Sequence, residues 1–173
     1  AGKTASLLAS AHNYIERGMK VQLLTSKIDT RSGVGKIVSR IGIESNAYAF
    51  EKHEDLFQYL KTNECTTACV FVDEAQFMTP DQVWQLARFS DTYSIPIHCY
   101  GLRTDFQGNT FPGSNTLLGI SDNLINVQTI CHCGKPATMC VRSNNGSIVK
   151  DGEQIQIGGN DTYETYCRKH WYA

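Results

Sequence analysis

The sequence predicts an α/β fold, a parallel sheet covered by helices on both faces, followed by a small β-rich module. Three observations predict it. Apolar strand-like runs alternate with segments of helical periodicity through most of the chain. Ala68-Cys69-Val70-Phe71-Val72 is apolar without interruption, as a strand buried on both faces of a parallel sheet requires. The alternation stops near Asn123, and beyond it come short β-like pieces rich in Gly and Asn.

The elements follow in order. Thr4 to Arg17 carries Leu7, Leu8, Ala11, Tyr14 and Ile15 at helical spacing, and Gly18 closes it as a C-cap would. Val21 to Thr25 reads as a strand. Ser32 to Ile41 holds Gly33 and Gly35 beside Lys36 and Arg40, which predicts a mobile polar loop running into a helix. Ala47 to Phe50 reads as a short strand, Asp55 to Leu60 as a helix and 68–72 as the buried strand. Thr79-Pro80 opens a helix to about Asp91, with threonine as N-cap and proline at the first helical position. Ile97 to Tyr100 is the next strand. The domain boundary is placed at 123/124.

The chain has 173 residues, enough for one compact core and a small appendage. Hydrophobic residues make up 41% and charged residues 19%, the balance of a globular rather than a disordered chain. The net charge of −1 supplies no basic excess to draw the chain onto nucleic acid. No apolar run approaches the roughly 20 residues that cross a bilayer. Seven cysteines, an odd and unevenly spaced set, do not make a secreted disulfide framework. Cys69 and Cys99 read as small core residues within strands.

Ala1-Gly2-Lys3-Thr4 matches the end of the phosphate-binding motif G-x-x-x-x-G-K-[ST]. In that motif backbone N–H groups and a helix N-terminus cradle phosphate, the lysine reaches the terminal phosphates and the hydroxyl serves Mg²⁺. The tripeptide is common, but an amphipathic helix begins at once, and the buried strand ends in Asp73-Glu74. An acidic pair leaving an apolar strand is the complementary half of such a site, with Asp73 at the metal. The first domain therefore reads as a RecA-like P-loop domain. Its first strand is missing from the sequence, and the natural chain is expected to extend upstream by that strand and the start of the loop.

Glu74 sets the reaction class. Strand alternation points it to the other side from Asp73. There it activates either water, which makes an ATPase, or a substrate hydroxyl, which makes a kinase with Glu74 as general base. Asp73-Glu74-Ala75-Gln76 also looks like the acidic box of helicases, but those motors need two such domains.

Cys131-His132-Cys133 and Cys167-Arg168-Lys169-His170 supply two close pairs of ligands. Gly134-Lys135-Pro136 provides the turn that lets the first two thiolates converge. Cys131, Cys133, Cys167 and His170 make a closed tetrahedral set, which predicts structural Zn²⁺. His132 is expected to point away as a bystander. The module lacks the clustered Lys and Arg with interleaved aromatics that nucleic-acid binding requires.

At this point the chain resembles a family. Its motifs are similar to those of the zinc-containing thymidine kinases, most closely the enterobacterial type, over essentially the whole chain. The resemblance is carried by Ala1 to Thr4, Asp29-Thr30-Arg31, Val72 to Phe77, Tyr100 to Gly108, Cys131 to Gly134, Ile157-Gly158-Gly159 with Tyr163, and Cys167 to His170. It implies transfer of the ATP γ-phosphate to the 5′-hydroxyl of thymidine, giving dTMP, with Glu74 as the base. It implies ATP, phosphate and Mg²⁺ contacts from Ala1, Gly2, Lys3, Thr4, Asp29, Arg31, Asp73 and Gln76. A lasso loop of roughly Gln154 to Tyr163 would close over the nucleoside. In it Gln154, Ile155, Gln156, Ile157 and Gly158 present backbone groups to the base, and Tyr163 completes the pocket. Phe106 would pack against the thymine ring. The resemblance also implies a cytoplasmic homotetramer inhibited by dTTP at the substrate site, with neither nucleic acid nor membrane as partner.

Overall fold

The computed structural model describes residues 2–28, 33–156 and 161–173. Ala1, Asp29, Arg31, Ile157 and Gly158 therefore lie outside the described residues. Helix α1 spans Lys3–Glu16 and strand β1 Lys20–Ser26. Strands β2, β3 and β4 are Lys36–Val38, Glu44–Asn46 and Tyr48–Phe50. Helix α2 is Leu56–Lys61 and strand β5 Thr67–Val72. A 3-10 turn at Ala75–Phe77 precedes helix α3, Pro80–Tyr93, strand β6, Ile97–Cys99, and helix α4, Pro112–Ile120. The C-terminal part holds β7, Met139–Asn144, β8, Ser147–Val149, β9, Asp161–Tyr166, and helix α5, Arg168–Tyr172.

The main sheet has the order β4-β1-β5-β6, and all three pairings are parallel. Helices cover both faces, and the two-residue period of β5 shows how. Cys69 and Phe71 pack with Leu7, Leu8 and Ala11 of α1, while Val70 and Val72 pack with Leu56, Leu60, Val83 and Phe89 of α2 and α3. Residues 69–72 are all fully buried, which is why that stretch of the strand carries no polar side chain. Helix α3 starts where Thr79-Pro80 places it. Thr79 Oγ1 accepts from the Gln82 N–H and Gln82 Oε1 accepts from the Thr79 N–H, both at 3.1 Å, a complete capping box.

The segment from Gly33 onward departs from the expected helix. Lys36–Val38 and Glu44–Asn46 pair as an antiparallel ribbon. Ile37 is the one buried hydrophobic residue of the segment among the described residues, and Ile41 is 73% exposed, so no helical stripe is available to bury. Ser39 instead locks a tight hairpin: its N–H donates to the Ile43 carbonyl at 2.8 Å and its Oγ accepts from the Ile43 N–H at 3.0 Å. Helix α4 is likewise not among the elements read from periodicity. Its glycines carry no side chain to mark a face, and Gly113 packs so closely that an added Cβ would lie 2.4 Å from the Met78 carbonyl oxygen.

The second sheet, β8-β7-β9, is antiparallel. Asn145 and Gly146, at φ 49° and 82°, close β7 onto β8, the two left-handed residues that a tight hairpin needs. Among the described residues no helix is long and apolar enough to cross a membrane.

Candidate active site

The parallel sheet ends in a cavity of about 630 Å³. Gly2 caps α1 in a left-handed conformation, φ 88°, with no side-chain hydrogen bond capping the helix start among the described residues. The free N–H groups of the first turn and the positive end of the helix dipole are thus left for an anion. Lys3 and Thr4 line the cavity beside them. Thr4 Oγ1 donates to Asp73 Oδ2 at 3.1 Å, which joins the two halves of the expected nucleotide apparatus. Asp73 is anchored in turn: its N–H donates to the Leu24 carbonyl at 2.8 Å, and only 5% of the residue is exposed.

Glu74 also lines the cavity, but strand alternation does not aim it there. The strand ends at Val72, and Glu74 sits at φ 52°, ψ 40° as the N-cap of the 3-10 turn. That is a conformation a non-glycine residue adopts at a cost of order 1–3 kcal/mol, and such residues cluster at functional sites. The turn is held from below, because the Ala75 N–H donates to the Tyr100 carbonyl at 2.9 Å. Gln76, buried beside it, donates from Nε2 to Glu74 Oε2 at 2.5 Å and accepts the Leu102 N–H on Oε1 at 3.2 Å.

The opposite wall comes from the second sheet and the chain before β9. Gln154, Ile155, Gln156 and Tyr163 line the cavity together with Phe106. Tyr163 donates its hydroxyl proton to the Gln156 carbonyl at 2.9 Å. Gln154 Nε2 donates to Asp105 Oδ2 at 2.9 Å. Asp105 is a contributor that the residue-type patterns do not single out. It is buried, and its Oδ1 accepts the N–H groups of Gln107 and Asn109, both at 2.9 Å. Its signals in the sequence were the Asp-x-x-Gly spacing of a turn at 105–108 and its place inside the Tyr100 to Gly108 motif, neither of which gave it a role. Phe77, Phe111 and Cys140 line the cavity as well and are equally inconspicuous, each an apolar residue among many.

The four predicted metal ligands converge. The ligand atoms of Cys131, Cys133, Cys167 and His170 lie within 4.8 Å of one another. Tetrahedral zinc with Zn–S bonds of about 2.3 Å places two sulfurs about 3.8 Å apart, and the Cys133 and Cys167 Sγ atoms are 3.8 Å apart. His170 Nδ1 lies 3.6 Å from Cys131 Sγ and 3.3 Å from Cys167 Sγ. The donor set and its spacing fit zinc. The turn after the first pair forms as its residues require: the Gly134 N–H donates to the Cys131 carbonyl at 2.8 Å, with Gly134 at φ 81°. Burial alone would raise the Cys131 thiol. The backbone N–H groups of Cys133 and Cys167 and the His170 ring outweigh it and bring the thiol down to about 6. His132 does not point away. Its Nδ1 lies 3.6 Å from Cys131 Sγ and its ring packs 4.4 Å from that of His170, between the cluster and Tyr166.

Comparison with known proteins finds one family. The sequence model of the family described as "Thymidine kinase" matches residues 1–171. The thymidine kinase of Rhizobium meliloti (strain 1021) is 52% identical, over 99% of this chain and 90% of the relative. That of Ruegeria pomeroyi is 52% identical, over 99% and 88%. That of Shewanella oneidensis is 50% identical, over 99% and 91%.

Proposed function

The chain belongs to the thymidine kinase family, and on that premise we propose that Glu74 is the general base for phosphoryl transfer from ATP to the 5′-hydroxyl of thymidine. The reaction is that of an ATP-dependent phosphotransferase. One observation carries the reading: a single cavity is bounded by the open start of α1 with Lys3 and Thr4, by Asp73 and Glu74, and by Gln154 to Gln156 with Tyr163 and Phe106. Its size, about 630 Å³, lies within the range of small-ligand pockets.

Each part has a task. Lys3 and the first N–H groups of α1 bind the phosphate chain of ATP, with Gly2 opening the turn. Thr4 and Asp73 would hold Mg²⁺, which would supply charge neutralisation for the transferring group. Gln76 orients Glu74. Glu74 accepts the proton of the 5′-hydroxyl as its oxygen bonds to the γ-phosphorus and the bond to the ADP leaving oxygen breaks. The segment Gln154 to Gln156, with Tyr163, reads the base through backbone groups, and Phe106 supplies the apolar wall. A polar base edge that leaves any of these groups unpaired is rejected by the cost of burying them unsatisfied. Covering the site also keeps water from Glu74, which separates a kinase from an ATPase.

We assign residues 1–123 to the nucleotide-binding domain and 124–173 to the zinc module that carries the nucleoside loop. A cytoplasmic homotetramer inhibited by dTTP completes the proposal. Exposed apolar residues such as Trp84 and Met19 offer surface for subunit contacts, and a thiolate-rich site suits a reducing compartment.

The test is Glu74→Gln. It should abolish dTMP formation while binding of an ATP analogue survives. Full activity in that variant ends the base assignment. ADP release stimulated by DNA and indifferent to thymidine would instead favour a nucleic-acid-dependent ATPase.

A further inference from the structure

Arg142 on β7 is the most deeply buried charged side chain of the described residues, 1% exposed. Burying a guanidinium is costly, and structures bear that cost where the group is used. Its partners are unusual. The guanidinium carbon lies 3.7 Å from the centroid of the Phe106 ring, a cation–π contact at close range. Nη1 donates to the Glu153 carbonyl at 2.9 Å. Nε is buried with no hydrogen-bond partner among the described residues. Gly152 is pressed against the same group, so that a Cβ there would meet Nη2 at 2.7 Å.

Arg142 does not itself line the cavity, whereas Phe106 does. The arginine therefore backs the ring that forms the wall, and through Glu153 it also holds the entrance of the segment leading into Gln154, Ile155 and Gln156. Across the ladder it faces Tyr163, which lines the cavity from β9. The geometry points to Arg142 as a positioning residue for the nucleoside: its buried charge fixes the Phe106 ring and the start of the covering loop in the binding arrangement. The inference rests on the reading of this cavity as the nucleoside site. A planar guanidinium can lie on the ring and reach the carbonyl at once, and no neutral side chain of the same length does both. The unpartnered Nε is the part of the group sacrificed to that stacking.

The test is steady-state kinetics on the full chain with Arg142→Met, Arg142→Lys and Gly152→Ala. Methionine keeps most of the length and removes the charge. Arg142→Met should raise the KM for thymidine about tenfold, the scale of one lost desolvated cation–π contact. Its kcat and its KM for ATP should stay within about twofold, because neither Glu74 nor the α1 terminus is touched. Arg142→Lys should recover part of the thymidine affinity, since it restores the charge without the fork. Gly152→Ala retains the arginine but shifts its guanidinium, because the new Cβ would meet Nη2 at 2.7 Å, and should raise the thymidine KM in the same selective way. It carries the test if Arg142→Met does not fold. Folded variants with an unchanged thymidine KM, or with kcat falling equally for every substrate, overturn the positioning role. Absence of thymidine-dependent ADP release in the unaltered protein overturns the nucleoside site itself, a separate failure.

Discussion

Gln76 Nε2 donates to Glu74 Oε2 at 2.5 Å, while the same amide accepts the Leu102 N–H on Oε1 at 3.2 Å. The amide is thus fixed from both ends, and with it the carboxylate that faces the cavity. Glu74 stands in a left-handed turn outside the strand. Its direction depends on this brace rather than on the pleat of β5.

Gln76→Leu removes the brace and leaves the Leu102 N–H without its side-chain acceptor. We expect kcat to fall up to about 100-fold, the scale of a misplaced reacting group, with the thymidine KM little changed. Gln76→Glu puts a second carboxylate against Glu74 and should be at least as damaging. A kcat within twofold of the parent, about the noise of such measurements, would falsify the orienting role.

Gly101→Ala tests the same brace from behind. A Cβ at Gly101 would stand 2.7 Å from Gln76 Oε1 and 3.0 Å from the Gln76 backbone nitrogen. The variant should lose kcat in parallel with Gln76→Leu, and the two losses should not add when combined. Gly113→Ala presses on the same turn from its backbone side. Its Cβ would meet the Met78 carbonyl oxygen at 2.4 Å and the Ala75 and Gln76 carbonyl oxygens at 3.1 Å. That change should lower stability by about 1–3 kcal/mol, read as a lower urea midpoint.

Thr4→Val keeps the volume and deletes the donor that joins α1 to Asp73 at 3.1 Å. Loss of this hydrogen bond should cost about 1 kcal/mol of stability. The larger effect should fall on ATP, whose KM should rise about tenfold or more while thymidine binding measured by calorimetry stays put. Equal weakening of both ligands would count against a nucleotide-specific role.

The zinc module gives a pH-dependent prediction. In the fold the Cys131 thiol lies at about 6, below its ordinary value of 9.0. A group depressed in this way contributes stability that is present above the unfolded value and is lost as pH falls through the folded one. Metal retention, which needs the thiolates, should therefore hold at neutral pH and decline as pH drops below about 6. Metal analysis after dialysis at stepped pH reads it. Chelation or Cys133→Ser should open β7 to β9 and abolish thymidine affinity before the parallel sheet melts. Apparent binding energies for such sites, about 10–16 kcal/mol, make so large an effect reasonable. Undiminished thymidine affinity in metal-free protein would rule out the metal as the anchor of the loop.

Several parts of this protein were legible residue by residue. Val70 and Val72 face one layer of helices and Cys69 and Phe71 the other, as an unbroken apolar strand implies. Thr79-Pro80 opens its helix because capping is decided within four residues. The same holds for the ligand pairs around Cys131 and Cys167, whose turn chemistry is local. The hairpin at Lys36 to Asn46 was not legible, because three-residue strands leave too little periodicity to outweigh their polar neighbours. Helix α4 was hidden by its two glycines, which mark no face, and the value of Gly113 is the close approach it permits, a property of the partner surface rather than of the helix.

By itself the sequence determined the α/β class, the phosphate and acidic motifs, the four metal ligands and the family. These depend on local spacing and on the burial pattern of single elements. Only the tertiary structure decided which groups share one cavity and how each is aimed. It set Glu74 by a left-handed turn braced through Gln76, brought Asp105 to Gln154, and laid Arg142 on Phe106. The physical reason is common to all three. Each contact joins residues from different elements or turns, and its energy depends on distance and angle in space, to which neither composition nor periodicity along the chain is sensitive.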